Sequence, residues 1–247
     1  MLGIAIRTLN ANLVEVTEFT CKYCGKGFRR ESSLAAHLCE KKRRWQQQNE
    51  QGVQIGYNAY LQFYETTQGS ARLKTYQDFV ESPFYLAFVR YGRYLVDIRA
   101  VNANSFTTWL LKNNKKLDHW CRDSFYEEWL RDYLRKENPR DALERAIKEM
   151  QDYAEKLKLD GTDTLGDYSN YFRHANTNRI CHHITTGRIS PWVVYNCDSG
   201  LGFLDNLSQE QILLVMPYID PDYWNRRFQE YLADTEWARM ILTQAGL

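Results

Sequence analysis

The chain has no run of 18 apolar residues, so nothing in it reads as a membrane-spanning helix. Strand-like alternation is nearly missing, and the short "WVVY" at 192–195 is the best candidate. No segment repeats at a solenoid period. Catalytic signatures are missing too: there is no G-x-S-x-G, no phosphate-binding P-loop, no G-x-G-x-x-G after a strand and no H-E-x-x-H. The sequence therefore gives no support to an enzyme. Cysteine is sparse, six residues in 247, and only Cys21 and Cys24 form a C-x2-C pair. That pattern excludes a disulfide framework and fits one metal site plus scattered free thiols in a reducing compartment. The opening "MLGIAIRTLNANLVEV" lacks a long apolar core behind a basic start, so it does not read as a signal peptide. It reads as a short extra strand or as the product of an upstream start codon.

What is abundant is aromatic surface: aromatic residues make up 14% of the chain, with seven Trp and seventeen Tyr. Rings in such number imply well-packed helices or a contact surface for partners. The formal net charge of +1 hides an asymmetry. Residues 1–52 carry nine Lys/Arg against five Glu, leaving 23 cations against 26 acids beyond. The basic charge is thus local, and the larger part of the chain is no general polyanion binder.

Helix signals dominate beyond residue 57. Tyr57, Tyr60, Leu61 and Tyr64 share a helical face. Thr75 with Asp78, and Ser208 with Gln211, read as capping boxes. Ser82-Pro83, Asn138-Pro139, Ser190-Pro191 and Asp220-Pro221 place a capping residue before a proline at a first helical position. "DSGLGFLDNL" reads as a glycine turn ahead of a helix. The expected fold is mainly α: a small ββα finger followed by an all-helical domain. Its segments are an extension over 1–18, the finger with its basic tail over 19–45, a linker or helix extension over 46–56, and an aromatic-rich helical domain over 57–247.

The finger carries the clearest chemistry. Cys21 and Cys24 can grip one ion from a knuckle, and twelve residues separate Cys24 from His37, as in C2H2 zinc fingers. Phe19, Phe28 and Leu34 occupy the places of that family's small core. Residues 19–37 resemble the family up to the first histidine and depart after it. No second histidine follows; Cys39 arrives instead, two residues after His37. On a regular helix that spacing turns the two side chains about 200° apart. Cys39 can complete a C2HC zinc site only if the helix ends or tightens near His37. Otherwise Zn2+ would have three protein ligands plus water or a distant residue. An open position would permit metal catalysis, but no neighbouring carboxylate is placed as a base.

In sequence-reading fingers the contacts come from helix positions that fall here on Arg30, Ser33 and Ala36. Arg30 could pair with guanine, but Ser33 is short and Ala36 offers no hydrogen bond. Arg29, Arg30 and Ser33, with the run Lys41, Lys42, Arg43 and Arg44, remain the candidate nucleic-acid contacts, weak and non-specific. The alternative for 41–44 is a solvated helix end, where cations suit the negative pole of the dipole. "HWC" at 119–121, "CHH" at 181–183, His174 and Cys197 invite a second metal site, but adjacent or i, i+2 donors share an ion poorly, so they read as core or hydrogen-bonded residues. The tryptophans at 109, 120, 129, 192, 224 and 237 read chiefly as core.

Four stretches, "CKYCGKGFRRESSLAAHLCEKKRRW", "KTYQDFVESPFYLAFVRYGRYL", "NKKLDHWCRDSFYEEWL" and "RISPWVVYNCDSG", resemble proteins of T-even-type tailed bacteriophages and their cyanophage relatives, in the family of baseplate hub assembly factors. The resemblance implies a cytoplasmic role in the infected host, partners among phage structural and assembly proteins and no covalent catalysis, while the lack of a long apolar run implies no membrane partner.

Overall fold

The computed structural model describes residues 19–69 and 73–247; the expectations for the 1–18 extension lie outside the described residues. The architecture is mainly α, with one two-stranded sheet near the N-terminal end. Strands β1 (Phe19–Thr20) and β2 (Gly27–Phe28) pair antiparallel, Phe19 opposite Phe28. They lead into α1 (Glu31–Ala36) and α2 (Glu40–Gln46). A turn then opens α3 (Gln51–Gln68), so most of the 46–56 segment is helical.

Next come α4 (Tyr76–Glu81), α5 (Tyr85–Asp97), α6 (Ala103–Lys112) and α7 (Asp123–Lys136). The Thr75–Asp78 capping box forms as expected at the start of α4. Ser82-Pro83 does not begin α5. Ser82 Oγ accepts from the Phe84 N–H at 3.1 Å, making a turn that delays the helix to Tyr85. The remaining helices are α8 (Pro139–Leu159), α9 (Tyr171–His174), α10 (Thr177–Thr185), α11 (Pro191–Val194), α12 (Asp198–Asp205), α13 (Gln209–Ile219), α14 (Pro221–Glu230) and α15 (Leu232–Gln244). Asn138 caps α8 through the Arg140 N–H at 2.8 Å, and Ser208 with Gln211 closes a second capping box on α13.

Two expectations are corrected. "WVVY" is helix rather than strand. Ser190 caps α11, Pro191 occupies its first turn, and the run is apolar because Trp192, Val193 and Val194 are all fully buried. The glycines of "DSGLGFLDNL" lie within α12, where Gly200 packs so tightly on the Val194 carbonyl that a Cβ would come within 2.4 Å of it.

Two hydrophobic clusters organise the helices. The first joins α3 to α7 around Phe88, Tyr91, Phe106, Trp120 and Trp129; the second joins α8 to α15 around Trp192, Trp224 and Phe228. Tyr218 touches both. Polar contacts span the joint. The carboxylate of buried Glu137 is ion-paired with Arg145 at 2.7 Å and accepts from Arg145 Nη2 at 2.9 Å and from Ser190 Oγ at 2.8 Å. Trp120, Trp129, Trp192 and Trp224 are core, as their spacing suggested, while Trp109 and Trp237 pack against it half-buried.

Candidate metal centre

The hairpin turns on Gly25, whose φ of +74° suits glycine, with its N–H on the Cys21 carbonyl at 2.8 Å. The returning Cys21 N–H donates to the Lys26 carbonyl at 2.9 Å, closing a knuckle that brings Cys21 and Cys24 to one side. Helix α1 then stops at Ala36. His37 turns extended, with φ −71° and ψ 120°, and Cys39 is extended too, with φ −93° and ψ 162°. This break removes the opposition that two residues on a continuous helix would suffer. The chain reverses the relative aim of His37 and Cys39 before α2 starts.

The ligand atoms of Cys21, Cys24, His37 and Cys39 all lie within 4.8 Å of one another, and Cys24 Sγ is 3.3 Å from His37 Nε2. A tetrahedral ion with bonds of about 2.0–2.3 Å needs ligand separations of about 3.5–3.8 Å. The set is therefore nearly assembled and can hold a metal ion after a small contraction. Burial opposes ionisation of Cys21, but backbone N–H donors from Cys24 and Tyr23 and the neighbouring thiols draw its pKa below the ordinary value. Cys24 is helped by the Lys26 N–H, yet burial and the thiols of Cys39 and Cys21 leave it raised.

The rest of the finger offers little to hold it together. Neither α1 nor α2 buries a side chain, Phe28 and Leu34 are only half-buried, and Phe28 packs on the His37 ring at 4.8 Å.

Cys39 has a second role. Its Sγ accepts from the Lys42 N–H at 3.3 Å, so the fourth donor is also the N-cap of α2. Helix α2 is the finger's attachment to the helical domain. Arg44, 17% exposed, donates to the Val80 carbonyl at 2.6 Å and lays its guanidinium over the Tyr85 ring at 4.4 Å. Tyr76 donates its hydroxyl proton to the Arg44 carbonyl at 3.0 Å and meets Trp45 edge-on at 5.0 Å. Lys41 pairs with Glu81 at 3.0 Å, Arg43 with Glu40 at 2.7 Å, and Lys42 donates to the His37 carbonyl at 3.0 Å. Every cation of the 41–44 run has an intramolecular partner. Sequence reasoning missed Tyr76, Val80 and Glu81 as the receiving surface, since they stand some 30–40 residues away. Arg29, Arg30 and Ser33 remain on the exposed side of the finger.

The other histidines and thiols do not assemble. Among the described residues the four-residue group above is the one cluster of three or more donors that could hold a metal. Burial raises the pKa of the Cys121, Cys181 and Cys197 thiols. His183, 2% exposed, shares a 2.6 Å hydrogen bond between Nδ1 and the Tyr171 hydroxyl. Burial, with Arg188 nearby, pushes its pKa down to about 3.

This lowering has a measurable consequence. An unfolded chain protonates His183 near pH 6.5 while the folded chain does not, so the stability it contributes is complete above that pH and is lost on acidification toward 3. Between pH 7.5 and 5 we expect His183 to account for a loss of about 2 kcal/mol. In urea unfolding, His183→Gln should flatten the pH dependence by that amount. An unchanged slope would mean that His183 is protonated in the folded chain.

Compared with protein-family models, curated proteins and solved structures, the chain matches none of them. Among the described residues no helix is long and apolar enough to cross a membrane.

Proposed function

We propose that the chain is a zinc-stapled factor without catalytic activity of its own that works through protein–protein contacts, serving assembly of a phage tail baseplate hub in the infected cell. The observation that carries this reading is the closed donor set. Three thiols and one imidazole suit zinc, and four protein donors would fill a tetrahedral coordination sphere. The motifs quoted in the sequence analysis supply the phage context.

Exposed apolar residues on α13 support this reading. Leu213 and Leu214 are 69% and 54% exposed, and with Pro217 they line a groove against Tyr94, Ile98 and Tyr126. Exposed apolar surface of this kind, rimmed by polar residues, marks interaction sites. The alternative of a nucleic-acid-binding regulator rests on Arg29, Arg30 and the 41–44 run, of which Arg44 is docked on the helical domain.

The test is co-expression of the tagged chain with the baseplate hub proteins of a T-even-type phage. The wild-type chain should co-purify with a hub protein, and Leu213→Asp with Leu214→Asp should cut recovery at least about tenfold, as loss of interface anchors does. Arg29→Ala with Arg30→Ala should leave recovery intact. Recovery of no hub protein, or a salt-sensitive DNA or RNA shift abolished by the arginine variant, would overturn the reading.

A further inference from the structure

A cluster of basic groups around one carboxylate lies far from the finger in sequence, at the joint between the two hydrophobic clusters. Glu149, on α8, presents one oxygen, Oε1, to three basic groups: Arg99 Nη1 at 3.4 Å, Arg188 Nη1 at 3.8 Å and His183 Nε2 at 3.8 Å. Arg179, on α10, is near enough to depress the basicity of both Arg188 and His183. With His183 neutral, two guanidiniums face one carboxylate. The adjacent Glu137 does not help, because Arg145 and Ser190 already occupy its carboxylate.

Arg188 is the anomaly. Its side chain is only 14% exposed, its Nε is buried without a partner, and its one charged contact within the protein is the 3.8 Å approach to Glu149. Buried guanidinium donors without acceptors are costly, and native structures seldom leave them so.

Arg99 is the second anomaly. It sits just past α5 with φ +49°, in the left-handed conformation that helix ends usually assign to glycine. The Ala100 N–H on the Leu95 carbonyl at 2.9 Å fixes that turn. Arg188 leaves the end of α10 in a comparable way, directly after Gly187 at φ +74°. The negative poles of two helix ends explain why cations are placed here. They do not explain an arginine held in a strained backbone position, nor donors buried without acceptors. Both arginines approach the same oxygen, so their guanidiniums are close enough for one tetrahedral oxyanion to contact both.

We propose that Arg99 and Arg188, held in place by Glu149, form a binding site for a compact oxyanion, a phosphate group. Two guanidiniums supply paired N–H donors, the geometry that suits phosphate oxygens. Glu149 keeps the two side chains converged while leaving an excess of positive charge. Because α5 belongs to one core cluster and α8 and α10 to the other, the bound anion ties the two together.

The test is thermal unfolding of the full chain with its metal bound, in sodium phosphate, in AMP and in sodium chloride at matched ionic strength. At tenfold excess over Kd, phosphate or AMP should raise Tm by about 3–5 °C above chloride. A larger rise with AMP identifies a phosphate ester as the ligand, and an equal rise identifies the free ion. Arg188→Gln should abolish the difference. Arg99→Gly should abolish it too while leaving Tm in chloride equal to or above that of the wild type, because glycine relieves the backbone. Arg43→Gln, on the finger, should keep the full rise. No difference between phosphate or AMP and chloride, or the same rise in Arg99→Gly and Arg188→Gln, overturns the proposal.

Discussion

Removing a metal ion held by the four donors should unfold residues 19–39 and loosen α2, while the helices from α3 onward keep their structure. The finger's two strands are two residues each, and α1 and α2 bury nothing. Burial cannot sustain a unit this small, whereas structural zinc contributes on the order of 10 kcal/mol or more in isolated fingers. The helical domain has its own core of fully buried rings and does not depend on the metal. Hydrogen exchange should therefore show protection lost across 19–46 on chelation and retained in α5, α8 and α10.

Cys39→Ser makes the sharper experiment. Serine is a good N-cap, so α2 keeps its start, but the thiolate donor is gone. Zinc affinity should fall by at least about 100-fold, since losing only an outer hydrogen-bond partner of a ligand costs about 10–100-fold. An unchanged affinity would show that three protein donors and a water hold the ion. That result would reopen the metal to catalysis.

The candidate ligands were legible because metal chemistry fixes them at short sequence spacing. Cys21, Cys24 and His37 follow the finger pattern, and the clash of a two-residue spacing with helical geometry pointed to the break now seen at His37. Helix starts were legible for the same local reason: a capping side chain and its N–H target are two or three residues apart, as at Thr75, Ser208 and Asn138.

What was not legible depended on distant partners. A run of four cations looks the same in sequence whether it faces solvent or, like Arg44, a carbonyl 36 residues away. The apolar run 192–195 has strand-like residue types, but complete burial between helices removes the periodicity that separates helix from strand. Arg99 and Arg188 carried no local signal at all, since their convergence on Glu149 is a product of three elements.

Gly52, in the 46–56 segment expected as a linker or helix extension, sits inside α3. Its role becomes visible only with α5 in place, and it leads to the expectation that Gly92→Ala destabilises the protein by about 3 kcal/mol or more. Gly52 and Gly56 lie one turn apart on α3, facing Gly92 on α5. A Cβ on Gly92 would lie 1.9 Å from the Gly52 carbonyl oxygen and 2.6 Å from the Gly56 nitrogen. A Cβ on Gly56 would lie 2.5 Å from the Phe88 carbonyl oxygen. These neighbours are backbone atoms, so no rotamer change relieves the clash and the two helices must separate. Separation opens the packing of Val53, Tyr60, Phe88 and Val89, all buried in the first core cluster.

Two effects compete in this substitution. Helix propensity alone favours alanine over glycine by about 1 kcal/mol. Overpacking a tight contact costs about 1–3 kcal/mol, with larger values where rigid groups collide. The steric cost wins because both sides of the contact are backbone. Gly202→Ala separates the two effects, since that glycine is inside α12 with nothing within 4 Å of an added Cβ. It should stabilise by up to about 1 kcal/mol. Urea midpoints should therefore move in opposite directions for the two variants, with Tm falling by about 6–12 °C for Gly92→Ala. Movement in the same direction would mean that α3 and α5 do not cross at these glycines, and the first core cluster would have to be packed another way.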